Sequence, residues 1–418
     1  MGLLGCFKVV LTYLIHFVVP LLHPLRKFLD PLLVRLSDCY RGFYVISKRT
    51  YLNIWNNHVK YGAVVRLSPN RLLSNTATAV HGIRSHLSSL RNTTVKSGSS
   101  SVKALSDRSM SIFEPTILEH IDTFLELLLK STRTPNPVDM SSHCQHLNFD
   151  IIGDLAVVQR LKLQLDNTNR TLLRLLIIAK YRVNMIMHFP PLRIFNPVLK
   201  MIPSRQARGT PPATTVCALF FYLSRNPECY RSLANEARST FSRADKIRSG
   251  PQLSNYKYLR ACIDEPLRIS PPSLASLWRE QSEGTGDFGT LDGHVIPKGT
   301  QVGVNIYALH HNEEWLEIRQ RENPEKSSLR SEMHDAFVPF IVGPRSCAGK
   351  AMVYQEVSLI VAKTLRYFDF ERNQNGRNRV DEFQLFDVFN SHHQGPNPAF
   401  KTRGDFSNDL EPHTGLVG

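Results

Sequence analysis

The stretch Phe340-Ile-Val-Gly-Pro-Arg-Ser-Cys-Ala-Gly349 carries more information about the fold of this chain than any other. It places Cys347 between two glycines, with Arg345 two residues before the cysteine. Glycines admit backbone angles and close contacts that a Cβ would block. An arginine offers a rigid fork of donors that suits a carboxylate. The stretch therefore predicts a tight loop that presents one sulfur atom beside a cation.

A helix is predicted directly after this loop. Apolar residues recur at the helical spacing i, i+4, i+7 and i+8, at Val353, Val357, Ile360 and Val361. The cysteine would then lie at the N-terminus of the helix, where free N–H groups and the helix dipole favour an anion. Because only the thiolate form of cysteine is a metal ligand, we interpret Cys347 as a thiolate ligand of a buried iron.

Two other motifs are excluded by their spacing. A phosphate-binding P-loop has four residues between its glycines and Ser or Thr after its lysine. Here five residues separate Gly343 from Gly349, and Ala351 follows Lys350. A cysteine-phosphatase loop has an arginine six positions after the cysteine, where this chain has Val353. A buried structural cysteine is the plainer alternative for a single Cys, and the surrounding Phe, Gly and Arg positions disfavour it.

The loop resembles the heme-binding signature of the cytochrome P-450 family. The resemblance implies that heme b is the cofactor, that Cys347 is the proximal ligand of its iron, and that Arg345 contacts a heme propionate. Phe340, Gly343 and Gly349 are the other positions of the signature and complete the implied cofactor-binding set. A thiolate ligand favours O–O cleavage at the iron. The implied reaction inserts one oxygen atom of O2 into an apolar small molecule.

A second motif lies 82 residues before the cysteine, at Glu265-Pro-Leu-Arg268. A carboxylate and a guanidinium at i and i+3 share one helix face, and such a pair alone is usually a solvated surface pair. Upstream of this loop it resembles the structural Glu-x-x-Arg helix of the same family, ended by Ser270-Pro-Pro. The resemblance also implies a second propionate-binding arginine at Arg279. Residues 294–304 are predicted to form a hairpin with a Pro-Lys-Gly turn.

The oxygen-activating acid and threonine of the family have no clear counterpart. The resemblance places the threonine at Thr210, the candidate catalytic residue, where it would relay protons; Gly209 occupies the place of the acid. Two prolines that begin at Pro211 fit only the first turn of a helix. The upstream half of the long distal helix has no evident counterpart in 201–208. We therefore expect internal deletions and a cytochrome P-450 fold that is incomplete in this distal helix.

Two further gaps are expected. The region between Gly82 and Ala104 contains no clear propionate-binding helix with Trp or His. Residues 315–317 lack the segment that partners the Glu-x-x-Arg pair in the family, so we expect Arg268 to have lost its usual partner.

Length and composition agree with one large domain. The chain has 418 residues, of which 42% are hydrophobic, as in globular proteins. Its seven cysteines are scattered and form no Cys-x-x-Cys pair, so the sequence indicates neither a zinc site nor a disulfide framework. This pattern predicts a reducing environment for the main domain. Helical periodicity at 115–130, 149–155 and 171–180 and a strand–turn–strand pattern at 63–73 predict a mainly α fold with small β-sheets, an α+β class.

Residues 1–24 are predicted to form a membrane anchor. The segment Leu3–Leu22 is apolar apart from Lys8, Thr12 and His16, and twenty helical residues span about 30 Å. A cleaved signal peptide and a buried amphipathic helix are the alternatives. The resemblance implies an anchor in the endoplasmic reticulum, a hinge over 25–39 and a cytosolic heme-thiolate catalytic domain over 40–418.

The formal charge of +15 raises the question of a nucleic-acid partner. Basic residues are spread along the chain without a block of Lys and Arg, so no nucleic-acid partner is predicted. Four of them near the cysteine, Arg345, Lys350, Lys363 and Arg366, are expected to attract an acidic partner. The resemblance implies that this partner is a separate FAD/FMN reductase that supplies electrons from NADPH. It also implies a role in fungal secondary metabolism, with a catalytically impaired heme-binding remnant as the alternative.

Overall fold

The computed structural model of this chain describes residues 23–85, 107–133, 137–157, 160–188, 211–241, 243–280, 290–312, 333–343, 346–373, 382–388 and 390–404. Helices predominate in these ranges, and short strands form small sheets beside them. The predicted class, mainly α with small β-sheets, is confirmed.

The longer helices are distributed over the whole described chain. They are α1 (Leu32–Leu36), α2 (Cys39–Ile46), α3 (Thr50–Tyr61), α4 (Ala77–Ser85), α5 (Asp107–Thr132), α6 (Met140–Ile152), α7 (Arg170–His188), α8 (Pro211–Leu223), α9 (Pro227–Thr240), α10 (Lys257–Ile269), α11 (Ile306–His310) and α12 (Lys350–Tyr367). Short helical turns lie at Pro24–Lys27, Gly153–Val157, Ala244–Lys246 and Pro251–Ser254.

The strands come from both halves of the chain. They are β1 (Val64–Ser68), β2 (Arg71–Ser74), β3 (Ser276–Glu280), β4 (Thr290–Leu291), β5 (His294–Val295), β6 (Gln301–Asn305), β7 (Phe368–Glu371), β8 (Leu385–Val388), β9 (Asn390–His393) and β10 (Ala399–Thr402). A mixed sheet has the order β1–β2–β6–β3, with β2 and β6 parallel. Because β2 pairs with β6, the N-terminal part of the chain belongs to the same folded unit as the region before the cysteine.

Helix α8 lies at the centre of the main hydrophobic core. It contacts α6, α9, α10 and α12, and its residues from Ala213 to Phe221 are all buried. A helix that is apolar on every side must be enclosed by other elements. Phe220 has no exposed surface, and its ring centroid lies 4.8 Å from that of Phe370 and 5.9 Å from that of Phe400. The core thus joins the helices to the C-terminal strands.

Three predictions about helices are confirmed. The stripe from Val353 to Val361 on α12 lies in the core, with each of its four members at most 5% exposed. Helix α10 carries the Glu265 and Arg268 pair and ends at Ile269, just before the serine and two prolines. Helix α8 begins at Pro211, as the two prolines predict.

The predicted start of one helix at Pro115 is wrong. The residue lies inside α5, which begins at Asp107. Its ring is on the exposed side of the helix, whereas Met110 and Ile117 on either side of it are buried in the core. Tertiary packing of the apolar face therefore outweighs the local preference of proline for a helix start.

The predicted hairpin over 294–304 is also wrong. The tight turn lies earlier, at Asp292 and Gly293, whose φ values of +48° and +77° are both positive, as a two-residue type I′ turn requires. It joins β4 to β5. The Pro-Lys-Gly turn, closed by a 3.2 Å bond from Thr300 N–H to the Pro297 carbonyl, instead leads from β5 into β6, which pairs with β2 and β3.

None of the helices in the described ranges has the length and apolar composition needed to cross a bilayer. The segment Leu3–Leu22, on which the anchor prediction rests, lies outside the described residues. Within the predicted hinge, Leu25, Phe28 and Val34 are buried.

We expect Phe220→Ala to lower the free energy of unfolding by about 3–5 kcal/mol, because it leaves a cavity between α8 and the C-terminal strands. The measurement is chemical denaturation of the purified chain. Ile112→Ala is the matched control, since Ile112 is 70% exposed on α5. Equal effects of the two substitutions would contradict the assignment of α8 to the core.

Candidate functional site

The predicted cysteine loop is a closed turn held by its own backbone. The N–H of Cys347 donates to the Phe340 carbonyl at 2.8 Å, and Ser346 N–H donates to the Gly343 carbonyl at 3.0 Å. Gly343 has φ +88°, in the left-handed region where a glycine is favoured. Ile341 takes a positive φ of +61° as well, although it carries a branched side chain. The loop is therefore specified by paired backbone groups, and its conformation is one that few sequences adopt.

The loop leads directly into α12, which begins at Lys350 with Gly349 as its N-cap residue. The Cys347 side chain is exposed and carries a free thiol. A Cβ placed on Gly349 would lie 3.8 Å from the sulfur, so the glycine borders the thiol without crowding it. The sulfur thus stands just before the N-terminus of an 18-residue helix.

The first residue of the loop is attached to α10 by an aromatic and polar contact. Phe340 is buried, and its ring centroid lies 5.3 Å from that of Tyr354 on α12. The Tyr354 hydroxyl donates to Asp264 on α10 at 2.6 Å, and the Arg260 guanidinium stacks 3.4 Å from the centre of the tyrosine ring. Helices α10 and α12 are thereby joined next to the cysteine loop.

The Glu-x-x-Arg pair forms a second attachment. Arg268 binds the Glu265 carboxylate with two nitrogens, at 2.9 and 3.0 Å. Its Nη1 donates to the main-chain carbonyl of His310, at the end of α11, at 2.8 Å. The sequence predicted that Arg268 has lost its usual partner; in the structure the guanidinium is held by this carbonyl and by Glu265.

The chain from residue 211 to residue 391 matches the family model described as cytochrome P-450. The cysteine loop and the helices α8 to α12 lie inside this match. The cytochrome P-450 monooxygenase AKT7 of Alternaria alternata is 28% identical, over 96% of each chain. The monooxygenase poxM of Penicillium oxalicum is 28% identical over 90% of this chain and 89% of its own length. Over a shorter region, apf8 of Gibberella fujikuroi is 38% identical, covering 47% of this chain and 58% of its own length.

The chain is similar to cytochrome P-450 monooxygenases over most of its length, and its second half matches the model of that family. These similarities support a heme-dependent monooxygenase. The alignment with AKT7 runs over 509 positions, whereas the chain has 418 residues, so at least 91 positions of the alignment have no residue of this chain. Because the alignment covers almost all of both chains, these gaps are largely internal. Relative to AKT7 the chain therefore lacks internal positions, as expected, while the predicted locations of the missing segments stay predictions.

The described residues of the cysteine loop fit a heme iron. The only strong soft donor in the loop is the Cys347 thiol, which is exposed rather than enclosed by the loop. Soft thiolate donors suit iron in a heme. Main-chain hydrogen bonds close the loop and hold the backbone of Cys347 in place.

The other predicted site residues are distributed as follows. Arg279 is half-buried on β3, and its Nη1 donates to the Trp278 carbonyl at 2.7 Å. Arg345 and Thr210 lie outside the described residues, as do the suspected gaps at 201–208 and 315–317.

The prediction that Lys363 belongs to an exposed basic surface is wrong. Lys363 is only 6% exposed and pairs with Asp122 on α5, so it stabilises the contact between α5 and α12 and cannot attract a partner.

Sequence reasoning missed several residues that support the site. Asp264 bonds to Tyr354, and His310 bonds to Arg268 and Val338, each across a tertiary contact. The sequence offered one signal for Asp264, which stands immediately before the recognised Glu265. Glu356 was missed as well: it lies on the buried face of α12, its Oε2 makes no hydrogen bond within the described chain, and burial raises its pKa to about 8.

We expect Glu356→Gln to stabilise the chain relative to the parent, increasingly as the pH rises from about 5 to 8. The pKa of Glu356 is raised from 4.5 in an exposed chain to about 8. In this interval the folded state therefore holds a proton that the unfolded state releases, and the parent loses stability with rising pH. The limit for one proton is about 1.4 kcal/mol per pH unit.

The measurement is the denaturation midpoint at pH 5, 6.5 and 8. Glu119→Gln on α5 is the control because Glu119 is exposed. A constant difference between Glu356→Gln and the parent across this pH range would show that Glu356 titrates normally.

Proposed function

We propose that Cys347, as a thiolate, is the proximal ligand of the heme iron in a monooxygenase that acts on apolar small molecules. The observation that carries the proposal is the exposed thiol on a hydrogen-bonded loop at the N-terminus of α12, inside the region that matches the family. When bound, the heme supplies oxygen activation, and a thiolate ligand favours O–O cleavage.

The chain's own groups have three tasks in this proposal. The main-chain bond between Phe340 and Cys347 holds the sulfur at one position. Arg345 and Arg279 are the guanidiniums that would bind the two heme propionates, since a planar fork of donors matches a carboxylate. Thr210, with no acid before it, would deliver protons at the distal side.

We further propose that electrons come from NADPH through a separate FAD/FMN reductase. Lys350 is exposed at the start of α12, and a basic residue beside the cysteine loop suits an acidic partner. The curated relatives in fungi are named monooxygenases, which supports a role in the oxidation of a fungal secondary metabolite. No observation favours a nucleic acid.

Attachment to a membrane, with the anchor in the endoplasmic reticulum and the catalytic domain on the cytosolic side, is also a proposal. Apolar side chains are exposed near the N-terminal end of the described chain: Leu32 (74%), Leu33 (62%) and Phe43 (68%). Arg26 and Lys27 are exposed next to them. An apolar surface bordered by cations fits the interface of an anionic bilayer. This surface would continue the contact made by the apolar segment Leu3–Leu22.

The carbon monoxide difference spectrum of the reduced, heme-loaded chain tests the ligand. We expect a strongly red-shifted Soret band for the parent and its complete loss in Cys347→Ala, because the substitution removes the sulfur. Cys229→Ala is the control, since Cys229 is an exposed free cysteine elsewhere. A parental spectrum in Cys347→Ala would overturn the proposal.

Product formed per NADPH consumed then separates an active enzyme from the impaired alternative. A thiolate spectrum with uncoupled NADPH consumption would identify an impaired heme protein.

Flotation with vesicles that contain phosphatidylcholine and phosphatidylserine tests membrane attachment. In a chain that lacks residues 1–24, we expect Leu32→Asp with Leu33→Asp to weaken binding by more than about tenfold, because two leucines leave the apolar phase. Leu165→Asp is the control, at a residue that is 66% exposed outside this surface. Equal binding by the double variant and the control would exclude the proposed surface.

A further inference from the structure

The side chain of His310 joins two parts of the structure that no sequence motif connects. It lies at the end of α11 and is only 3% exposed. Its Nδ1 lies 3.2 Å from the Arg268 carbonyl, and its Nε2 lies 3.1 Å from the N–H of Val338. The ring also stacks on Phe337, with a centroid distance of 5.6 Å. The imidazole therefore stands between the Glu-x-x-Arg helix and the segment that enters the cysteine loop.

These contacts define one tautomer of His310. A carbonyl accepts only, so Nδ1 must carry the proton that it donates to Arg268. A main-chain N–H donates only, so Nε2 must be the unprotonated acceptor for Val338. The ring must be neutral to do both. Burial lowers the pKa of His310 to about 3, which keeps it neutral under all ordinary conditions.

The position of Val338 determines what this hydrogen bond controls. The Val338 carbonyl accepts from Ile341 N–H at 3.0 Å, in the turn where Ile341 has its positive φ. Phe340, inside the same turn, accepts the N–H of Cys347. By accepting the Val338 N–H, the imidazole thus fixes the start of the turn to which Cys347 is hydrogen-bonded.

The link to Arg268 is reciprocal. The Arg268 guanidinium donates to the His310 carbonyl, and the His310 ring donates to the Arg268 carbonyl. The two residues form a closed pair of hydrogen bonds in a buried site, where an unmade bond is costly. Because Glu265 holds the same guanidinium, the pair transmits the position of α10 to the loop.

We propose that His310 is a positioning residue for the iron ligand: its Nε2 fixes the Val338 amide and thereby the conformation of the Cys347 loop. It takes the place, in this chain, of the third partner that Arg268 is expected to lack. The inference rests on the proposed function only in naming Cys347 as the ligand, since the effect on the loop itself needs no cofactor.

Two conservative substitutions separate positioning from space filling. In His310→Gln the terminal amide oxygen reaches the place of Nε2 and can still accept from Val338 N–H. In His310→Asn the shorter amide reaches only the place of Nδ1, so the bond to Arg268 is kept and the bond to Val338 is lost. His311→Asn is the matched control: His311 stacks on Tyr307 at 3.8 Å, and its Nδ1 lies 2.8 Å from the Tyr307 carbonyl, so its side chain bonds within α11.

The readouts are hydrogen exchange in peptides that span 333–343 and 346–353, and the rate of alkylation of Cys347, both in the full chain as purified. We expect His310→Asn to raise exchange at Val338 and Cys347 by about five- to tenfold, the effect of one lost buried hydrogen bond, and to speed alkylation. His310→Gln and His311→Asn should stay near the parent. In the heme-loaded chain, His310→Asn should also lower the share of the red-shifted carbon monoxide band.

Equal exchange in His310→Asn and His310→Gln would overturn the proposal, because the acceptor would then be irrelevant. Exchange that rises uniformly over all helices would do the same, since it would reveal only a loss of global stability. If exchange follows the proposal but no variant, nor the parent, gives a thiolate spectrum, the positioning role stands and the proposed function fails.

Discussion

The main-chain hydrogen bond between Cys347 and Phe340 is the contact on which the rest of the site depends. It closes the loop that carries the Cys347 sulfur. Neighbouring elements restrain both residues of this bond, Phe340 and Cys347. Tyr354 and Asp264 hold the ring of Phe340, and α12 holds the residue after the cysteine. Contacts within the chain therefore restrain the loop on both sides of Cys347.

The parts of the site that a sequence can predict are local. The glycines, the cysteine and the apolar stripe of α12 lie within 22 residues, and their spacing alone defines a turn followed by a helix. The bond from Val338 to His310 spans 28 positions, and that from Tyr354 to Asp264 spans 90. Such pairs depend on how the helices pack against one another, and the spacing of apolar residues along the sequence does not determine that packing. Lys363 is another example. From the sequence alone a lysine is expected to be exposed to solvent, but in the structure Lys363 pairs with Asp122 on α5.

The two wrong predictions in the fold have different origins. Pro115 favours the first turn of a helix, but burial of the neighbouring Met110 and Ile117 extends α5 to the N-terminal side of it. Two sequences before β6 favour a turn. Asp292 and Gly293 form the type I′ hairpin turn, whereas the Pro-Lys-Gly turn connects two different sheets. The elements that hold the cysteine loop, α10 to α12, are unaffected by either error. This is consistent with a chain that lacks internal segments yet keeps the framework around its sulfur.

The start of α8 has a consequence for how a shortened chain remains foldable. A helix that is cut ordinarily presents several amide hydrogens with no acceptor, and burying them is unfavourable. Pro211 and Pro212 have no such hydrogens, so the first turn of α8 has two fewer groups to satisfy. The hydroxyl of the buried Thr214 accepts a hydrogen bond from the hydroxyl of Ser391 on β9 at 3.2 Å. The start of α8 therefore places fewer unsatisfied amide groups beside the hydrophobic core than a start without proline would.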